Sequence, residues 1–465
     1  MKYGQLFFLL LCLVGCRHYE PKLRETTIPV SWKENFPYDN AFVEKNQFWQ
    51  LFEDPILNAL EEEAINANFD LQIAASRILQ ARALVLKEHG KRLPEINLDA
   101  SLSEDETLID PRFFGSPVKH LERVKQQEYG LLADFSYELD LWGKLKDKEK
   151  SAKYRLEATR WDYEFVYQTL VTDVALHYFA LRALEEELAF LRRAIDLWKE
   201  TVALNESRVQ AGLSSEINLS RAKSELALTQ AEMEQTKWQY INEENALATL
   251  LAKPASSWKI SAGQLPKELP SLPNILPSEI LLRRADIQAA LALVSAGRSD
   301  VDATLKTYFP SFPLTASLGL VSPFLSHFFE WQARYWAYGL NAVQSLFDGG
   351  QKKADVRVAK AQFVERYAIY QKTVNQAFKD VEDALSLLHF TDLELRARNE
   401  ALDAATDTVV LAKEQYDHGL ISYLLVADSE NTSLAVERQT IALKGEQVKA
   451  WIRLMRALGL QKQSS

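Results

Sequence analysis

The sequence predicts a mixed α and β chain built as two copies of one plan, each with two amphipathic strands and a long unbroken helix. Three observations predict it. Glycine (16) and proline (15) are scarce in 465 residues, so turns are few and elements long. Four short segments alternate apolar and polar residues with period two. Several motifs recur in the same order in the second half, the signature of an internal repeat.

Composition narrows the function classes. Lys plus Arg number 54 and Asp plus Glu 64, a net charge of −10, which argues against a nucleic-acid partner. Only Cys12 and Cys16 occur, so a disulfide framework and a cysteine-ligated metal are excluded. The seven histidines are scattered, none stands in a His-Glu-x-x-His arrangement, and no phosphate-cradling glycine loop is present. No catalytic residue, cofactor or metal is expected.

The first residues read as an export signal. Lys2 precedes the apolar run Leu6–Val14, which is shorter than the ~20 residues of a membrane-spanning helix and fits the core of a signal peptide. The run ends in Leu13-Val14-Gly15-Cys16, which resembles the lipobox of bacterial lipoproteins. That resemblance implies a signal peptide over 1–15, acylation at Cys16 and a lipidated extended segment over 16–54. Arg17 after the cysteine resembles outer-membrane rather than inner-membrane sorting.

The remainder divides into two repeats, 55–265 and 266–465. Asp70–Ala75 recurs as Asp286–Ala290, and Leu93–Leu102 as Phe309–Leu318, both 216 positions later. Tyr129-Gly130-Leu131 recurs as Tyr338-Gly339-Leu340, and Gln210–Leu213 as Asp417–Leu420 with the offset reduced to 207.

Each repeat opens with a short helix, expected over Pro55–Arg92 and Pro277–Thr307. In the first strand Ile96, Leu98, Ala100 and Leu102 alternate with Asn97, Asp99, Ser101 and Ser103. The second is expected to run on through Leu139, Asp140 and Leu141. The third alternates over Phe312–Leu320 and the fourth over Trp336–Val343. Apolar-out, polar-in segments of this length fit transmembrane strands. A soluble sheet on a core would show the same alternation.

The long helices decide between the two. Neither glycine nor proline interrupts Gly143 to Gly212 or Gly350 to Gly419. At about 1.5 Å per residue each stretch makes a rod of roughly 100 Å. Val374, Phe378, Val381, Leu385 and Leu388 step by four and three, a coiled-coil seam. Gly212 and Gly419 sit where each rod reverses, a position that favours glycine. Returning helices are expected over Ser214–Ala252 and Ser422–Gly459. A short helix before the strands and another after the turn together slightly exceed one rod, so the economical arrangement stacks them end to end beside it. Rods this long bury their seams only against other rods.

This organisation resembles the TolC-type outer-membrane efflux proteins, or outer-membrane factors, and their lipoprotein branch in particular. The resemblance rests on Phe48–Pro55, Leu93–Ile96, Leu282–Ile287, Leu346–Gly350 and Asp380–Leu385, in that order. It departs at Ala457–Leu460, which lacks the glycine-rich, tryptophan-bearing tail often seen there.

The family implies a homotrimer whose four strands per chain form a 12-stranded β-barrel, continued by a periplasmic α-helical barrel. Physics agrees that four strands cannot close a barrel and that open edges cannot face lipid. The resemblance further implies an exit duct that takes small molecules from an inner-membrane pump through a periplasmic adaptor, the pump more often proton-driven than ATP-driven. The matched tip motif for adaptor docking comprises Arg208, Gly212, Leu213, Ser214, Gly419, Leu420 and Ser422. Tyr416 and Asp428 match closure positions of the periplasmic gate. Leu425 stands where another member has a second acid. Asp99, Asp134, Glu138 and Asp140, on the expected lumen side, suggest a mild cation preference. The competing reading is a periplasmic coiled-coil adaptor or structural lipoprotein without a channel, which would explain the rods and lipobox but not the strands.

Overall fold

The computed structural model describes residues 28–29, 31–33, 38–39, 47–109, 122–273 and 277–459. Cys16 lies outside the described residues. In chain order the elements are β1 (Tyr38–Asp39), α1 (Pro55–Ala67), α2 (Phe69–Gly90), β2 (Glu95–Ile109), β3 (Glu122–Glu138), α3 (Lys144–Gln210) and α4 (Glu216–Leu250). The second half follows with β4 (Leu272–Pro273), α5 (Pro277–Arg283), α6 (Ala285–Leu305), β5 (Pro313–Ser322), β6 (Arg334–Leu340), α7 (Gln351–Asp417) and α8 (Tyr423–Leu458). Five-residue and three-residue 3-10 turns sit between some of them, the first over Phe48–Phe52.

The rods α3 and α7 are each 67 residues long. Both start after a left-handed glycine, Gly143 at φ 75° and Gly350 at φ 89°. Both end at another, Gly212 at φ 72° and Gly419 at φ 69°. The two ends are closed by the same pair of bonds. Leu213 N–H donates to Arg208 O at 2.8 Å and Gly212 N–H to Val209 O at 2.9 Å. Leu420 N–H donates to Gln415 O and Gly419 N–H to Tyr416 O, each at 2.9 Å. This six-to-one, five-to-two pattern satisfies carbonyls that a helix end leaves open. The seam expected on α7 is buried at Val374, Val381, Leu385 and Leu388, with Phe378 partly buried beside them.

The helix before each strand pair is broken, where the sequence suggested one continuous element. Asn68 takes an extended backbone (ψ 132°), and its side-chain oxygen caps α2 by accepting from Asp70 N and Leu71 N. Its amide nitrogen donates to Leu250 O, the last carbonyl of α4, at 3.0 Å. The second break falls 216 positions later. Arg284 is extended (ψ 123°) and its guanidinium reaches Ala457 O at the end of α8, 3.3 Å away. Ala457 is itself 207 positions after Leu250, so both junctions reuse one arrangement. In each, the breaking residue ties the upper helix to the returning helix beneath it, and the two stack beside the continuous rod.

The side-to-side order in the helical layer is α2 above α4, then α3, then α6 above α8, then α7. The strands form one antiparallel sheet in the order β2-β3-β5-β6. Each strand joins the helix next to it in that order, so sheet and helical layer run in the same sequence with the same two edges open.

Strand boundaries depart from expectation at both ends. The second strand stops at Glu138, and Asp140 lies beyond it. There its carboxylate accepts from Lys146 N at 2.8 Å, and Gly143 N–H donates to Asp140 O at 3.3 Å. Asp140 therefore shapes the start of α3 rather than lining a strand. At the far end β2 and β3 continue as a two-stranded ribbon past the point where β5 stops. The fourth strand ends at Leu340, and Val343 makes only an isolated bridge to Ser311.

The main core lies at mid-height, where the segment before α1 and the 253–273 segment wrap one face of α3. Trp49, Phe179, Tyr178 and Trp451 are fully buried there. Asp54 caps α1 through Ile56 N and Leu57 N and also receives the Tyr178 hydroxyl. Buried Arg182 donates to Glu185 at 2.6 Å and to Ser261 O at 2.7 Å, with its guanidinium 4.5 Å from the Tyr178 ring. Gly263 is required here, since a Cβ would stand 2.6 Å from Arg182 Nε.

Candidate functional site

The register sorts the strand residues into two faces. Ile96 opposes Phe135, Leu98 opposes Ala133 and Ala100 opposes Leu131. Across the next pairing, Leu131 faces Leu320, Ala133 faces Leu318 and Tyr137 faces Leu314. The last pairing sets Leu314 against Leu340, Ala316 against Tyr338 and Leu318 against Trp336. Directly opposed residues share a face, so one side of the sheet is a continuous apolar surface. Leu98, Leu318, Trp336 and Tyr338 are among its exposed members. A sheet face of this extent has no place in water.

The other face carries Asn97, Asp99, Ser101, Asp134, Ser136, Thr315 and Ser317. Ser317 Oγ donates to Asp134 at 2.5 Å, and Glu138 pairs with Lys144 at 2.7 Å. Asp99 and Asp134 thus stand on the polar face as the alternation suggested. Gly319 lies on that face with its backbone so close to β3 that a Cβ would be 2.0 Å from Leu131 O.

Where the sheet meets the helices, charged clamps hold the layer rigid. Glu149 on α3 is buried and takes Lys153 at 2.7 Å and also Arg92 from the end of α2. Hydrogen bonding, first from Lys153 and then from Arg92, outweighs burial and lowers its pKa to about 2. Asp300 on α6 accepts from Ser151 at 2.5 Å, Arg155 at 2.8 Å and Arg366 at 3.0 Å, joining α3, α6 and α7.

At the opposite end the two rod turns lie side by side. Gly212 and Gly419 have nothing within 4 Å of a built Cβ, so both are open to solvent. Leu213 and Leu420 are 79% and 73% exposed, apolar side chains held outward by rigid turns. Ser214 accepts from Asn218 Nδ2 at 3.2 Å, while Ser215 rather than Ser214 caps α4 through Ile217 N. Ser422 precedes α8, and Leu425 N–H donates to its carbonyl at 3.1 Å.

Among the sequence-selected residues, Arg208 and Tyr416 are brought together. The guanidinium donates to the Tyr416 hydroxyl and lies 4.9 Å from its ring centroid, latching the end of α3 to the end of α7. Asp428 is not part of this cluster. It is exposed on α8, and among the described residues no hydrogen bond or ion pair holds its carboxylate. Leu425 is also half exposed.

Contacts among these helices, at the turns and above them, were not singled out from sequence. The Tyr423 ring packs edge-on to Tyr416 with centroids 5.7 Å apart, and burial raises its hydroxyl pKa. Lys413 pairs with buried Glu430 at 2.8 Å, joining α7 to α8. Arg438 on α8 pairs with Glu187 of α3 at 2.7 Å and Glu232 of α4 at 3.0 Å. The available signal was the seven-residue step from Tyr423 to Glu430 on α8, which keeps one helical face toward α7. Asp428, two positions from Glu430, points elsewhere on the helix.

Comparison with known proteins places this architecture. The family described as outer membrane efflux protein matches residues 60–253 and 276–460. The chain is 27% identical over 457 residues to a probable outer membrane lipoprotein, SilC, of Salmonella typhimurium, covering 96% of each. It is 28% identical to the solvent efflux pump outer membrane protein SrpC of Pseudomonas putida, covering 99% of this chain and 98% of that one. Its fold superposes on the outer-membrane channel OprN with a TM-score of 0.87 at 27% identity, over 95% of this chain and 99% of that chain. These matches remove the channel-free adaptor reading. With its apolar sheet face, its paired rods and these relatives, the chain belongs to the outer membrane efflux protein family and is an outer-membrane channel component.

Proposed function

We propose that three copies assemble into the exit duct of a tripartite pump, fed through a periplasmic adaptor. The observation that carries this is the shared order of the two layers. The sheet ends in β2 and β6, and the helical layer ends in α2 with α4 on one side and α7 on the other. One rotation that brings β6 of one copy to β2 of the next also brings α7 to the neighbour's α2 and α4. Three such steps give twelve strands, within the range of closed barrels, and leave no strand edge in lipid. Exposed Phe69, Leu79, Trp238, Phe390 and Val410 on these helices suit burial between copies.

The polar sheet face then lines a water-filled passage, and the rods extend it across the periplasm. Arg208, Gly212, Leu213, Ser214, Gly419, Leu420 and Ser422 form the adaptor-docking tip, where exposed Leu213 and Leu420 supply apolar anchors. Tyr416 and Asp428 narrow the tip, Tyr416 through its bond to Arg208 and Asp428 through charges repeated around a three-fold axis. Acylation at Cys16 adds a lipid anchor in the outer membrane. The pump is of the proton-driven class, as is frequent for the lipoprotein branch.

The test is purification of the full chain from outer membranes in mild detergent, followed by planar-bilayer recording. A trimer with discrete conductance steps is expected. A monomer that stays folded without lipid or detergent would overturn the assembly.

A further inference from the structure

The sheet ends away from the helices in two chemically different hairpins. The first continues β2 and β3 past the Tyr129–Ser322 pair as a charged ribbon. Its charges pair among themselves, with Lys125 3.5 Å from Glu104 and Arg123 3.8 Å from Glu106. The second hairpin turns over at once through two 3-10 turns, Leu325–His327 and Trp331–Ala333. It holds Phe328 and Ala333 inward and leaves Phe324, Leu325, Phe329 and Trp331 between 63% and 84% exposed.

Height decides what surrounds this aromatic loop. From Leu314 to Ser322 the apolar row of β5 measures about 27 Å along the strand, and a tilt of ~40° reduces this to roughly 20 Å of height. A barrel's apolar band is about 25 Å tall and carries aromatic girdles at both boundaries. Trp142 stacks on Phe309, centroids 4.9 Å apart, at the helix end of the sheet. The loop carrying Phe329 and Trp331 occupies the matching level at the other end, in the leaflet facing away from the periplasm.

Arg334 fixes a cationic side chain at that level. Arg334 opposes Leu320 in the register and so stands on the lipid-facing row with Trp336 and Tyr338. Its guanidinium carbon lies 3.1 Å from the centroid of the Trp331 ring. No carboxylate pairs with it among the described residues. Pairing with a neighbouring copy would occupy the backbone edge of β6, not this face.

We propose that Arg334, held by Trp331 and flanked by Phe329, binds the phosphate of a lipid headgroup in the outer leaflet. The aromatic rings sit at the boundary of the apolar band, and the planar fork of the guanidinium matches phosphate oxygens. The site rests on the outer-membrane barrel reading above and adds a ligand class to it.

The test uses the full-length protein reconstituted in phosphatidylcholine vesicles, with spin-labelled phosphatidic acid or spin-labelled phosphatidylcholine as probes. Wild type is expected to hold phosphatidic acid at its boundary more strongly than phosphatidylcholine. Arg334→Gln should lower that preference about fivefold, the equivalent of one cation near an anionic lipid surface. Arg334→Lys should keep part of it, and Trp331→Ala should weaken it while leaving the charge. An unchanged preference in Arg334→Gln, or its abolition by dissolved inorganic phosphate, would overturn the lipid site. A cross-link from Trp331→Cys to a neighbouring copy would overturn it too. Conductance is recorded in parallel. A barrel that conducts normally with no lipid preference defeats this proposal alone, whereas no conductance in any variant defeats the duct reading.

Discussion

Glu61 is the most costly residue in the mid-height core. None of its surface is exposed, and neither carboxylate oxygen has a hydrogen-bond partner among the described residues. Asn58 Oδ1, one turn earlier on α1, is likewise buried without a partner. Burial drives the Glu61 pKa well above the usual carboxylate range, and Tyr167 of α3 is the titratable neighbour that feels it. A group whose folded pKa is raised stabilises the fold fully below its unfolded value and loses that contribution as pH climbs toward the folded value. Stability should therefore fall by about 1.4 kcal/mol per pH unit above ~4.3, until the folded pKa is reached. Glu61→Gln should remove this slope, matching wild type near pH 4 and exceeding it at neutral pH. Thermal melts of the detergent-solubilised protein across pH would show it, and parallel slopes would refute it. Nothing in the sequence revealed Glu61, because a glutamate in Leu60-Glu61-Glu62-Glu63 reads as part of a solvated helix face. Only the packing of α1 against α3 buries that one of the three.

Glycine at the scale of elements shows which constraints are local. Gly212 and Gly419 need a left-handed backbone but have empty space around them, so Gly212→Ala should cost only about 1 kcal/mol. Gly319 is at φ angles any residue adopts, yet β3 leaves no room for a Cβ. Gly319→Ala should split β3 from β5 and abolish heat-modifiable migration of the barrel, whereas Gly212→Ala should leave it unchanged. The ends of the rods were legible because an uninterrupted glycine-free stretch is a one-dimensional signal. The breaks at Asn68 and Arg284 were not. Both residues are acceptable within a helix, and their extended backbones are fixed by partners 182 and 173 positions away, at Leu250 and Ala457. The strand ends at Glu138 and Leu340 were misplaced for a similar reason: Leu139 and Leu141 keep the alternation, but Gly143 and Asp140 start the next helix first.

For the whole molecule, the proposed gate assigns the resting width of the tip to the Arg208–Tyr416 bond between the rods. Tyr416→Phe removes the acceptor of the Arg208 bond, and Asp428→Ala removes an exposed carboxylate from α8. Either alone should raise single-channel conductance, and the pair should raise it further. Unchanged current from both would retire the gate. A third variant, Glu430→Gln, leaves Lys413 without its buried partner and should loosen α7 from α8 without altering the sheet. Hydrogen exchange that quickens along α8 but not in β3 would report this. The duplication, the four strands and the rods were visible in sequence because each is a repeated pattern. The tip network was only half visible, since Tyr423, Lys413 and Glu430 act through pairings between helices.

The coincidence of edges in the two layers has a genetic consequence. In the proposed three-copy ring every copy supplies one seam to each neighbour in both walls, so a single faulty member would breach the whole cylinder. In a cell making sound and damaged chains in equal amounts, only about one ring in eight would be free of damaged members. Alleles altered at β6 or along α7 should thus be dominant over the intact gene, while losses of expression should be recessive.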